Sequence, residues 1–217
     1  MFPMEFDFRI LNSLPLPEQA RIRVVAELLR VVVLRRVLSH FRNKRGTDPA
    51  RLGRLWDHLS IVRLEDEDCK IRVVSVLIRE GEHWQIHIHE RIFDYISFVI
   101  PGNPEARLGD GTPEERQILA FSEFFLRHQV EHILYPEHQE RAVILSDADF
   151  AMETRTSDPT FYGMLRGALA NEMNGMKGAE YLALLDAAEK GLPLDPVVAR
   201  VAGSSASLLG RASDEFL

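Results

Sequence analysis

Three of the chain's eight histidines fall within eleven residues, in the stretch His128-Gln-Val-Glu131-His132-Ile-Leu-Tyr-Pro136-Glu-His138. On a helix, positions 128 and 132 lie one turn apart on the same face, and Glu131 projects from nearly the same side. Two imidazoles at that spacing can grip one divalent metal ion, and a neighbouring carboxylate can take a proton from a metal-bound water. His128, His132 and His138 are therefore the expected metal ligands, Zn2+ the expected ion and Glu131 the expected general base. Three protein ligands leave a fourth position open for water, whose pKa zinc lowers to about 7.

The helix that would carry this chemistry is well marked. Thr112 and Glu115 form a capping box, Pro113 takes the first helical position, and Pro136 disfavours helical geometry at Tyr135. A helix is expected from 113 to about 135, and a new one from Pro136 to about Met152. With about 100° of rotation per residue, Ile118, Phe121 and Phe125 share a side with His128 and His132. Imidazoles on an apolar stripe need partners, because unsatisfied buried polar groups are costly, and a metal satisfies both at once. Pro136 would turn the chain so that His138 swings back as third ligand. Glu137, Glu140 and Glu172 are rivals for that place.

His128-x-x-Glu131-His132 resembles the H-x-x-E-H signature of the inverted zincins, the pitrilysin-like metallopeptidases. The spacing of His128, His132 and His138 is similar to that of the three metzincin histidines, although Gln129 and Tyr135 stand where that family has glutamate and glycine. The resemblance implies a zinc-dependent hydrolase acting on peptide or protein substrates. It also implies a long backing helix, a small twisted sheet that aligns substrate, a metal helix and a helical C-terminal part. Residues 18–42, 71–90, 113–135 and 158–190 follow that order. In gluzincins and inverted zincins the third ligand is a glutamate from a later helix, a place that Asn171-Glu172-Met-Asn would suit. The expectation is an α+β, zincin-like fold, with a core over residues 1–157 and a helical C-terminal subdomain over 158–217.

The other elements are read from local signals. Pro15 and Pro17 precede a helix from Glu18 to about Arg42, which Gly46 stops, and Pro49 opens a short helix to about Leu59. Ile71–Ile78 and Trp84–His89 read as a β-hairpin around Glu80-Gly-Glu82, with further β or mixed structure over Ile92–Ile100. The strand at 84–90 is the one expected to align substrate by backbone hydrogen bonds. Residues 160–190 look helical, with Gly163, Gly167, Gly175 and Gly178 as weak points.

Composition narrows the classes. The net charge of −7 hides a segment from Arg21 to Arg54 that carries +8. Its arginines alternate with core-type Val and Leu and no aromatic stacking platform accompanies them, which argues against a nucleic-acid partner and for the wet face of a packed helix. No basic start leads into an apolar run, and no stretch is long and apolar enough to span a membrane. The single cysteine, Cys69, suits a reducing compartment and reads as structural, so a cytoplasmic protein is expected.

Weaker constellations remain. His87 and His89 share a strand face, with His83 and Glu90 nearby, and could form a second metal site. A di-iron centre on Glu131 and Glu172 is disfavoured because such sites want Glu-x-x-His rather than His-x-x-Glu. Asp147 and Asp149 read as a solvated helix face. The competing class is a non-enzymatic α+β binding or regulatory module with a structural or sensory metal site.

Overall fold

A computed structural model describes residues 18–64, 75–89, 113–170 and 178–202. The expectations for residues 92–100, Cys69, the Thr112 cap, Glu172 and the His89 side chain lie outside the described residues. Helices dominate, with one three-stranded mixed sheet, so the class is α+β.

The backing helix begins with α1 (Glu18–Leu28), widens into a π-helical segment over Leu29–Leu34, and continues as α2 (Arg35–Arg45). The apolar stripe explains the widening. Leu28 and Leu29 are buried, and the next buried pair, Val33 and Leu34, comes five residues later. An α-helix would turn that pair away from the core, whereas i→i+5 bonding brings it back in phase. Val37, Leu38 and Phe41 carry the buried stripe to the end, while Arg35, Arg36, Arg42, Lys44 and Arg45 stay exposed. The helix stops at Gly46, at φ 64°, where Thr47 N–H donates to the Phe41 carbonyl at 3.1 Å. Asp48 then caps α3 (Pro49–His58) by accepting from Ala50 N–H at 3.1 Å.

The sheet holds one strand not foreseen as such, β1 (Leu59–Leu64), which follows α3 without a loop. β2 (Ser75–Glu80) and β3 (His83–His89) form the expected hairpin, turning at Gly81 with φ 62°. The strand order is β1-β3-β2, with β1 parallel and β2 antiparallel to β3. This order overturns the idea that β3 aligns a substrate. Its backbone is bonded on both sides, so the 84–89 strand has no edge to offer. Leu59, Ile61, Ile86 and Ile88 face the core.

α4 (Pro113–Leu134) runs through the middle of the molecule. Phe121, Phe124, Phe125, Leu126 and Val130 pack against the π-helical segment and against α6 (Pro159–Ala170). Gly167 is less a weak point than a contact, since a Cβ there would come within 2.6 Å of the Gln117 amide on α4. Between these helices in sequence lies α5 (Glu140–Ser157). α7 (Gly178–Glu189) and a final helix over 195–202 close a smaller core of Ile144, Ala148, Leu184, Val198 and Val201. Among the described residues, no helix is long and apolar enough to cross a membrane.

Two titrating groups lie where the backing helix meets α4 and α5. Glu123, only 9% exposed, has its carboxylate 2.9 Å from Arg36 Nε. Burial outweighs the attraction of Arg36, Asp158 adds repulsion, and its pKa is pushed up to about 7 from an ordinary 4.5. The native state therefore holds a proton that the unfolded chain has released, and stability falls as pH rises through that window. His40 works in the opposite sense. Burial, with Arg127 and Arg45 adding repulsion, lowers its pKa to about 4 from 6.5, so stability is lost as pH falls through that range. Glu123→Gln should leave unfolding free energy unchanged below pH 4.5 and raise it above pH 7. The gain is on the order of 3 kcal/mol, because each tenfold change in proton affinity is worth about 1.36 kcal/mol. Urea titrations at pH 4 and pH 8 read the difference, and parallel profiles for variant and wild type would show that Glu123 ionises normally.

Candidate metal centre

Pro136 ends α4 as expected, but the chain does not re-enter a helix there. Tyr135 N–H closes the last turn on the Glu131 carbonyl at 2.8 Å, and His138 N–H bonds the Tyr135 carbonyl at 2.9 Å. Arg51 of α3 donates to the Leu134 carbonyl, fixing where α4 stops. α5 starts at Glu140, and its negative charge suits the positive end of the helix dipole. The two helices form a hairpin in which a one-turn pair on α4, His128 and His132, meets a two-turn pair on α5, Glu140 and Asp147.

At the turn end of that hairpin, three donor atoms converge. His132 Nε2 lies 3.2 Å from Glu140 Oε2, His128 Nε2 lies 3.7 Å from the same oxygen, and the two Nε2 atoms are 3.3 Å apart. Among the described residues, His128, His132 and Glu140 are the group able to hold a metal ion. Tetrahedral zinc with arms of about 2.0–2.2 Å needs ligand atoms about 3.3–3.6 Å apart. The three edges, 3.2, 3.3 and 3.7 Å, lie within about 0.1 Å of that range. Their side chains are 13%, 26% and 29% exposed in the order His128, His132, Glu140, so the group opens to solvent on the His132–Glu140 side.

Behind the group lies a buried polar network. His128 Nδ1 bonds Asp147 Oδ2 at 2.7 Å, and the Tyr181 hydroxyl donates to the same oxygen at 3.0 Å. Arg127, 1% exposed, donates to Asp147 Oδ1 and to Glu131 Oε2, the latter at 3.0 Å. The Ser146 hydroxyl donates to Glu131 Oε2 at 3.0 Å and accepts from Arg45. Burial alone would lower the His128 pKa, but Asp147 and Glu140 outweigh it and hold the value above 6.5. Burial likewise would raise Asp147, but His128 and Arg127 overcome it and keep the carboxyl below its usual range. Tyr181 is pushed well above 10 by burial and by Asp147, so it stays a neutral donor.

The expected residues divide accordingly. His128 and His132 come together as the helical spacing implies. His138 lies outside the group, its ring stacked on Tyr135 at 5.1 Å with Nδ1 3.3 Å from Glu131 Oε1, and Glu140 takes the third place instead. Glu131 also lies outside it. One residue along a helix from His132 is a turn of about 100°, enough to point the carboxylate at Arg127 and Ser146 rather than at the imidazole pair. Asp147 is 0% exposed, which corrects its reading as part of a solvated face. Its seven-residue spacing from Glu140 is the available signal, since two full turns place both on one side of α5.

The strand histidines form no comparable cluster among the described residues. His87 Nε2 bonds the Gln85 side chain at 2.8 Å, and burial lowers its pKa. His83 meets His58 edge-on, with ring centroids 5.1 Å apart. In comparisons with known proteins, no family model, no curated protein and no solved structure matches the chain.

Proposed function

We propose that the protein is a zinc-dependent hydrolase with His128, His132 and Glu140 as its metal ligands and peptide bonds as its substrates. The observation that carries this reading is the triangle of donor atoms, with edges of 3.2, 3.3 and 3.7 Å. Two histidines and one glutamate with an open fourth position make up a known catalytic zinc set. The same residue types also serve non-haem iron, and a zinc titration decides whether zinc is taken up. The order of backing helix, sheet, metal helix and C-terminal helices supports a zincin-like fold, and a third ligand from a later helix suits the inverted-zincin likeness of His128-x-x-Glu131-His132.

Bound zinc would polarise a carbonyl and supply a water of pKa about 7. The chain's own residues hold and orient. His128 is braced from behind by Asp147, while His132 and Glu140 border the open side where substrate and solvent reach the site. Glu131, the expected general base, is committed to Arg127 and Ser146, so proton transfer falls to groups on the open side. That commitment favours a second reading, in which the same three ligands hold a metal for structure or sensing without turnover.

One experiment separates the two. Purified protein is stripped with chelator, titrated with zinc against a chromophoric indicator, and assayed on a quenched-fluorescence peptide library. One equivalent of bound zinc, with cleavage that chelator abolishes and zinc restores, is the expected result. Zinc binding without cleavage would leave the sensing module standing. A folded protein that takes up no zinc would end the hydrolase reading.

A further inference from the structure

Asp147 is gripped at both of its carboxylate oxygens, and none of those bonds is needed to close a helix. Its Oδ2 takes bonds from His128 Nδ1 at 2.7 Å and from the Tyr181 hydroxyl at 3.0 Å, while Arg127 holds Oδ1. The carboxylate is 0% exposed, and its partners come from α4 and α7, one of them a guanidinium that is itself buried. A carboxylate anchored at both oxygens cannot swing, so the imidazole bonded to it cannot rotate either.

Imidazole has two nitrogens, and in its neutral form one donates while the other accepts. Asp147 can only accept, so His128 must carry its proton on Nδ1 and present the Nε2 lone pair. That nitrogen is the one 3.3 Å from His132 Nε2 and 3.7 Å from Glu140 Oε2. We propose that Asp147 is the positioning residue of this metal centre, fixing the tautomer and ring plane of His128, with Tyr181 of α7 setting the carboxylate in turn. The proposal rests on the metal reading above. It makes α7 part of the site although no atom of that helix belongs to the ligand group.

Outer carboxylates of this kind carry about 10–100-fold in metal affinity. Asp147→Asn should bind zinc about 10–100-fold more weakly than wild type at neutral pH, and Tyr181→Phe should weaken it less but in the same direction. Indicator competition gives the affinities, and far-UV circular dichroism verifies folding. A folded Asp147→Asn protein with wild-type affinity would overturn the proposal. A second measurement needs no variant. In the 113Cd-loaded wild-type protein, long-range 1H–15N spectra should show His128 with a slowly exchanging Nδ1 proton and cadmium coupling at Nε2. Coupling at Nδ1 would overturn this proposal alone, since the metal would still be bound. A wild-type protein that takes up neither zinc nor cadmium would overturn the metal reading and this inference with it.

Discussion

Arg127→Met should cost the metal-free protein about 3–5 kcal/mol, the usual penalty for removing one partner of a buried ion pair. Arg127 is 1% exposed and serves two carboxylates that are equally enclosed, Glu131 at 1% and Asp147 at 0%. Its guanidinium also lies over the Phe150 ring, 5.0 Å from the centroid. Without the cation, Asp147 keeps His128 and Tyr181, and Glu131 keeps the Ser146 hydroxyl and the nearby His138 ring. Neither set cancels two negative charges taken out of water. Lysine restores the charge but not the fork that reaches both acids, so Arg127→Lys should fall between wild type and methionine. Acid should narrow the gap. The depressed pKa of Asp147 gives stability that is present above the ordinary 3.8 and is lost as pH falls through the lower native value. Urea midpoints at pH 7.5 and pH 3 test both points. A loss below about 1 kcal/mol at neutral pH would mean that water screens the network as it does a surface pair.

What the sequence discloses, and what it withholds, follows the range of the forces involved. Signals that act within a turn or two are legible. Pro113 and Pro136 bracket α4, Gly46 ends the backing helix, Gly81 turns the hairpin, and the four-residue spacing of His128 and His132 places them together. The third ligand depends on how the chain leaves Leu134. Metzincin-like spacing points to His138, but a turn carries the chain past that position before α5 starts, and the first residue of α5 arrives beside His132. The burial of Asp147 is hidden for a related reason. Aspartate on a helix is usually solvated, and only the docking of α5 on α4, with Arg127 and Tyr181 converging on the carboxylate, makes burial tolerable. β1 has no loop to announce it after α3, and its parallel pairing with β3 cannot be read locally. That pairing is also what removes β3 as a substrate edge. The five-residue step from Leu28–Leu29 to Val33–Leu34 shows in the sequence as an excess of apolar residues, although its meaning as a π-helical segment needs the core to be seen.

Two conservative substitutions, one at Glu140 and one at Glu131, should give opposite results. Glu140→Gln should weaken zinc binding by more than about 100-fold, beyond what outer partners contribute, because it removes a charged ligand atom. Its stability should barely move, since Glu140 is 29% exposed at the first turn of α5. Glu131→Gln should do the reverse. Its carboxylate lies outside the ligand triangle and is bound by Arg127 and Ser146, so zinc affinity should stay near wild type. Glutamine keeps one acceptor but loses the charge facing Arg127, and the cost should be about 1–3 kcal/mol. Zinc titration and urea unfolding on both variants read this crossing directly. The comparison also tests the chemistry that the sequence motif suggests. If Glu131→Gln kept its zinc and its stability but lost cleavage, the carboxylate would have to leave Arg127 when substrate binds and act as general base after all. If cleavage survives in Glu131→Gln and fails in Glu140→Gln, the charge that matters is the one on the metal, and Glu131 belongs to the frame that holds Arg127, Asp147 and His128 in line.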